Sequence, residues 1–238
     1  MVTFANKIIE AGYGNRPFTE RQLASILLVS DASRYGLVNR ALRDGSLLRI
    51  KRGLYVLGAR WGRRGLEQPE IHPFAIAQAL KHGSYISFET ALSYHGWIPE
   101  AVYLTASVTP DNKTLNYQTN EWGSFEFSPL ATKDYQFLAG ISRVKVGPSA
   151  TLIARPLRAL MDLVACRKIS WQGVNWITQG LRVNTGDLQS LSAADFDELE
   201  SVYRHKSAQD YLANLRAVML PPESPSLQVL NPHPRKSA

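Results

Sequence analysis

Cysteine is nearly absent from this chain: Cys166 is the only one in 238 residues. A single thiol excludes an internal disulfide and any thiolate cluster around a metal. Its setting, Leu163-Val164-Ala165-Cys166, reads as a helix carrying a small buried hydrophobe. Five histidines (His72, His82, His95, His205 and His233) include no pair at i,i+4 spacing, so no zinc-binding helix is written. No apolar run approaches the ~20 residues that span a bilayer. The start, Met1 to Lys7, lacks the charged-then-apolar plan of a signal peptide. Neither Gly-x-Gly-x-x-Gly nor a P-loop occurs. Glu-x-Lys is missing, and the one Asp-x-Lys, Asp111-Asn112-Lys113, sits in a stretch that reads as a turn. A nuclease core of clustered carboxylates with a lysine is therefore not legible. Asp195, Asp197, Glu198 and Glu200 read instead as the solvated acidic face of one helix. From these absences we expect no catalytic residue, no metal ligand, no cofactor, no membrane partner and a cytoplasmic location.

What is present is positive charge in one place. Residues 1–66 carry 12 Lys/Arg against 4 Asp/Glu, a net of +8, whereas residues 67–238 carry 15 against 16, a net of −1. The chain's +7 is thus concentrated in its first quarter, the pattern of an electrostatic surface for a polyanion.

The same quarter reads as a winged helix-turn-helix between Pro17 and Leu57. Thr19 with Gln22 forms a capping-box pattern before an apolar helix through Leu28. After Val29-Ser30 comes a second helix, Asp31 to Asp44, ended by Gly45. Tyr35, Val38 and Leu42 share one face at helical spacing and are expected to pack on the first helix. Ser33, Gly36, Arg40 and Arg43 point the opposite way, a small and cationic face suited to a major groove. Leu47 to Val56 then folds back as a hairpin, with Leu48 and Ile50 alternating against Arg49 and Lys51 and with Gly53 at the turn. The expected DNA contacts are Ser33, Arg34, Asn39, Arg40 and Arg43 on the helix and Arg49, Lys51 and Arg52 on the wing.

The fold class read from the chain is α+β: the N-terminal winged helix-turn-helix, then a larger mixed α/β domain with a helical end. Boundaries fall at 1–60 for the DNA-binding domain, 61–72 for a Gly/Pro-containing linker, 73–220 for the second domain and 221–238 for a proline-rich disordered tail. A leading helix covers 4–11. In the second domain, helices are expected at Phe74–Lys81, from a Ser87 cap to Tyr94, from Pro156 to Arg167, at Gln172–Leu181, at Ala193–Tyr203 and at Ala208–Leu220, with Ser207 and Asp210 as a capping pair. Strands are expected at Tyr85–Ser87, Val102–Val108, Ser124–Phe127, Tyr135–Leu138, Ser142–Val146 and Thr151–Ala154. His95 reads as a helix-end residue bonding a carbonyl, and Asp162 as a capping or salt-bridge residue.

Three segments in this order resemble the AbiEi antitoxins. The recognition-helix end and wing, Asp44-Gly-Ser-Leu-Leu-Arg-Ile-Lys-Arg-Gly-Leu-Tyr-Val-Leu57, are similar to that family's N-terminal winged helix. Tyr85-Ile-Ser-Phe-Glu-Thr-Ala-Leu-Ser-Tyr-His-Gly-Trp-Ile98 resembles its serine–alanine–leucine–histidine–glycine segment, and Ala154-Arg-Pro-Leu-Arg-Ala-Leu-Met-Asp-Leu163 its later proline–alanine–leucine–aspartate helix. Arg158 departs from the helix start expected in such relatives. The resemblance implies a type IV toxin–antitoxin system. In it, the N-terminal domain binds double-stranded operator DNA and represses its own operon, and the C-terminal domain counters a nucleotidyltransferase-like toxin. Two other readings stay open. One is a stand-alone winged-helix regulator with a ligand-sensing or dimerising second domain. The other is a DNA-processing enzyme with a winged-helix targeting domain.

Overall fold

The computed structural model of the protein describes residues 4–58, 71–100 and 102–221. Most of the expected linker at 61–72 and nearly all of the expected tail at 221–238 lie outside the described residues. At the linker's end, Ile71 is buried, and the ring of His72 accepts from the Phe74 amide to cap the next helix.

Thr19 organises the N-terminal part. It closes β1 (Phe18–Thr19) and caps α2 (Glu20–Leu27). Its hydroxyl accepts from the Gln22 amide at 3.3 Å, and the Gln22 side chain accepts from the Thr19 amide at 2.7 Å. This capping box satisfies two helix-end donors that would otherwise be orphaned. Preceding it is α1 (Phe4–Glu10). Following it is α3 (Asp31–Arg43), capped by Ser30, whose hydroxyl accepts from the Ser33 amide at 3.3 Å. Strands β2 (Leu47–Lys51) and β3 (Leu54–Leu57) form the hairpin, and β1 adds to β3 to give an antiparallel sheet in the order β1-β3-β2. Gly53 turns the hairpin at φ +76°, a region costly to any residue with a Cβ. Gly58 passes so close that a Cβ there would lie 1.9 Å from the Gly45 carbonyl oxygen. The two-residue β1 was not legible in the sequence.

The rest carries α4 (Pro73–Leu80), β4 (Tyr85–Ile86), α5 (Phe88–Tyr94), β5 (Leu104–Thr109), β6 (Leu115–Thr119), β7 (Gly123–Pro129), β8 (Ile141–Val146), β9 (Ser149–Ala154), α6 (Pro156–Arg167), α7 (Thr185–Gln189), α8 (Ala193–Leu199) and α9 (Lys206–Met219). Six strands form one sheet in the order β6-β7-β5-β4-β9-β8. The β5–β7 and β4–β9 pairs are parallel and the others antiparallel. The molecule is a mixture of helix and sheet, as expected.

Several local expectations give way. Tyr135–Leu138 is a turn, not a strand; Tyr135 has φ +63°. Trp176–Gly180 forms one wide π-type turn in place of a regular helix over 172–181. The helix from Ala193 stops at Leu199, and α9 begins at Lys206 with no side-chain cap, so Ser207 and Asp210 do not act as a capping pair. Strand β6 and helix α7 were not foreseen. Cys166 is exposed and not buried: α6 is buried all round from Leu157 to Val164, and Cys166 lies at its emerging last turn.

Two hydrophobic cores form, and β3 lies between them. Tyr55 and Leu57 join Phe18, Leu23, Leu27, Val38 and Leu47 in the N-terminal core. Leu54 and Val56, on the alternate face, join Ile50 in the core of the second part. An irregularity in the β2–β3 pairing between Arg49 and Lys51 accompanies this change of partner. The hairpin is therefore a shared element and not a free-standing arm.

The second and third segments of the resemblance meet at a buried polar network. Arg158 and Asp162, one turn apart on α6, pair at 2.8 Å with both side chains fully buried. The Arg158 guanidinium also donates to the Ala139 carbonyl (2.8 Å) and the Tyr85 hydroxyl (2.7 Å). Asp162 accepts from Tyr85 (3.0 Å), Ser87 (2.7 Å) and Tyr203 (2.9 Å). Ser87 stands at the start of α5 but gives its hydroxyl to Asp162, which is why it makes no side-chain cap. Burial first, and then the Asp162 charge, pushes the Tyr85 and Tyr203 hydroxyls well above the usual phenol range. Burial works against the Arg158 charge, but Asp162 and the two tyrosines outweigh it and the guanidinium stays cationic. Nearby, His95 ends α5 and its Nε2–H donates to the Ala154 carbonyl at 2.9 Å, tying α5 to the end of β9.

Candidate nucleic-acid interface

The exposed side of α3 follows from which of its residues the core takes. Val38 and Ala41 are buried, and Leu37 and Leu42 are half-buried against α2 and β2. Ala32, Ser33, Tyr35, Gly36, Arg40 and Arg43 face solvent. Ser33, Gly36, Arg40 and Arg43 thus stand on the outer face, as their spacing predicts. Asn39 is half-buried at its border. Tyr35 does not pack on α2: it is 67% exposed. Arg34 takes the inward position instead, pairing with Asp31 at 2.9 Å and approaching Glu20 of α2 at 3.6 Å. Only 14% of its side chain is exposed. Arg34 is consumed inside the protein, which removes it from the outer cationic set.

The hairpin divides its cations in the same way. Arg49 and Arg52 are exposed. Lys51 is not at the outer tip: it turns toward the second part of the molecule, where its ammonium donates to the Leu80 carbonyl at 2.7 Å and lies 5.4 Å from the centre of the Tyr117 ring. Burial, followed by repulsion from Lys81, lowers its pKa. The irregularity in β2 between Arg49 and Lys51 interrupts the strand's alternation, so Lys51 is aimed to the same side as Ile50.

Pairing of arginine with carboxylate separates the two parts. Among the described residues, 4–58 hold seven arginines: Arg16, Arg21, Arg34, Arg40, Arg43, Arg49 and Arg52. Only Arg34 forms an ion pair. Residues 71–221 also hold seven, and Arg155, Arg158, Arg167, Arg182, Arg204 and Arg216 are all paired, leaving Arg143. Arg16, whose guanidinium lies 4.4 Å from the centre of the Tyr13 ring, and Arg21 are exposed members of the unpaired set that sequence reasoning did not single out. Unpaired exposed guanidinium groups cost the fold nothing to leave in water, and they remain available to phosphate or a base edge.

Gly36 is unusual within this face. It lies in the interior of a 13-residue helix, where glycine is worse than alanine by about 1 kcal/mol. Its φ is not positive, and a Cβ built there would meet nothing within 4 Å. No neighbour among the described residues requires the missing side chain.

The residues weighed for other chemistry are engaged otherwise. Asp111 pairs with Lys81. Asp195 and Glu198 face Arg155, and Asp197 meets Arg216. Among the described residues no group of three or more His, Cys, Asp or Glu is placed to hold a metal ion, and no helix is long and apolar enough to cross a membrane. Comparison of the chain with known family models and with curated proteins finds no match.

Proposed function

We propose that the protein is a DNA-binding transcriptional repressor that acts as the antitoxin of a type IV toxin–antitoxin pair. In this reading residues 4–58 are a winged helix-turn-helix, α3 enters the major groove and the β2–β3 hairpin is the wing. The observation that carries it is the set of exposed, unpaired arginines on α3 and at the hairpin tip. The contact set narrows to Ser33, Asn39, Arg40, Arg43, Arg49 and Arg52; Arg34 and Lys51 serve the fold. Arg40 and Arg43 are the residues for guanine edges or phosphate, and Arg49 and Arg52 for phosphate.

The antitoxin role is supported by the three ordered segments that resemble the AbiEi family. The second part of the molecule is the module that counters a nucleotidyltransferase-like toxin, and it has no catalysis of its own. The test is a pair of assays on the full chain. It represses a reporter driven by the promoter upstream of its own gene, and it rescues cells expressing an adjacent nucleotidyltransferase-like gene. Repression that survives Arg40→Gln with Arg43→Gln would overturn the DNA assignment, and rescue lost in no variant of residues 71–221 would overturn the second.

One observation favours a ligand-sensing regulator as the second reading. A groove of about 620 Å³ runs between the 110–112 turn, the 129–137 loop, the end of α6 and the Arg204–His205 corner.

A further inference from the structure

Resting on the DNA reading above, we infer that duplex DNA is read at the middle of α3, at Tyr35 and Gly36, with the helix backbone lying close to the base edges there. Two independent features point to that spot. The first is Gly36. A mid-helix glycine stands where no φ and no neighbour among the described residues demands one. A reason outside the chain, the close approach of another surface, accounts for it. The second is Tyr35. A large aromatic stands 67% exposed, with no ring contact or hydrogen bond among the described residues. Its ring offers an apolar surface to a thymine methyl, and its hydroxyl can donate to a base acceptor.

The surroundings commit the occupant to duplex DNA and not to a protein. At 100° per residue Gly36 lies between Arg43 and Arg40 along the middle of the exposed arc, and Tyr35, beyond Asn39, stands at its edge. Arg40 and Arg43 are exposed and unpaired among the described residues. An exposed face whose middle runs from a glycine to two unpaired arginines fits a groove floor between two phosphate rails. An apolar protein partner would be met by two uncompensated guanidinium groups instead.

The experiment uses the full chain with four forms: wild type, Gly36→Ala, Gly36→Leu and Tyr35→Ala. Each is titrated by fluorescence anisotropy against the duplex upstream of its own gene and against a scrambled duplex, over a salt series. Thermal unfolding is followed in parallel. Gly36→Ala is expected to raise the unfolding midpoint by about 2–4 °C while weakening binding to the specific duplex by about tenfold. Gly36→Leu weakens it by more. Tyr35→Ala also weakens it by about tenfold without lowering the midpoint. All three variants keep the wild-type salt slope and the wild-type affinity for the scrambled duplex, because none removes a charge. The inference is overturned if the variants bind the specific duplex as wild type does. It is also overturned if Gly36→Ala lowers the midpoint, which would reveal an internal reason for the glycine. Wild type that binds neither duplex would overturn the DNA reading itself and this inference with it. Specific binding that depends on Arg40 and Arg43 but not on Tyr35 or Gly36 leaves the parent reading standing and removes this one.

Discussion

In residues 71–221 six of seven arginines meet carboxylates, whereas in residues 4–58 one of seven does, counted among the described residues. The same side chain serves two ends. Around the six-stranded sheet it cross-links elements: Arg158 joins α6 to β4 and to the 136–139 turn, Arg167 reaches Glu89 of α5, and Arg204 reaches Asp134. On α3 and the hairpin it stays in water, uncommitted. The lesson is that net charge alone does not define a binding surface. What separates the two parts is how much of their positive charge the fold has already used.

The comparison is broken most severely at Arg158. Arg158→Leu leaves Asp162 buried without its countercharge, and removing one partner of a buried pair costs roughly 3–5 kcal/mol. Denaturant unfolding should show that loss, while Arg40→Gln or Arg43→Gln, at exposed positions, should stay within about 0.5 kcal/mol of wild type. Equal stability of all three variants would erase the distinction between structural and available arginines.

A second effect comes from the phenols of the same network. Tyr85 and Tyr203 have folded-state pKa values raised above the ordinary 10.0, so the folded chain holds protons that the unfolded chain releases. Their stabilisation is complete below pH 10 and is lost as pH rises above it, at about 1.4 kcal/mol per pH unit for each group. Ultraviolet titration should find two tyrosines that ionise only as the chain unfolds. Tyr203→Phe should lower the alkaline slope of stability by about 1.4 kcal/mol per pH unit, and an unchanged slope would show that this hydroxyl is not held protonated.

The smallest effect separates neighbours on the hairpin. Lys51→Met removes the donor to the Leu80 carbonyl and should cost about 1 kcal/mol of stability with no change in the salt dependence of DNA binding. Arg52→Met should do the reverse, leaving stability alone and reducing the salt slope by about 1. A matching loss of salt slope in both would place Lys51 at the nucleic acid after all.

What was legible in the sequence was local. The Thr19–Gln22 box, the helix after Ser30, the hairpin around Gly53 and the proline-led helix at 156 are each written within a few residues, where capping and turn chemistry act. What was not legible depends on distant partners. Lys51 looked like a wing-tip cation because its acceptor, Leu80, lies 29 residues on. Arg34 looked groove-facing because Glu20 of the preceding helix cannot be seen from helical phase alone. Tyr35 was assigned to the core by type and spacing, yet the core of α3 is centred on Val38 and Ala41, with Arg34 in the place the spacing offered to Tyr35. The Arg158 network draws on four separate stretches of chain, so the sequence reading saw only an out-of-pattern arginine and a salt-bridge candidate at Asp162.

The division of arginines into available and consumed is tested most directly by the salt dependence of DNA binding in two variants of the full chain. One is Arg40→Gln/Arg43→Gln/Arg52→Gln and the other Arg155→Gln/Arg167→Gln/Arg182→Gln, three partly exposed but paired arginines of the second part. Each phosphate contact contributes about 0.9 to the slope of log K against log salt. The first variant is predicted to lose about 2–3 of that slope and the second none. Equal slopes for the two variants would contradict the account.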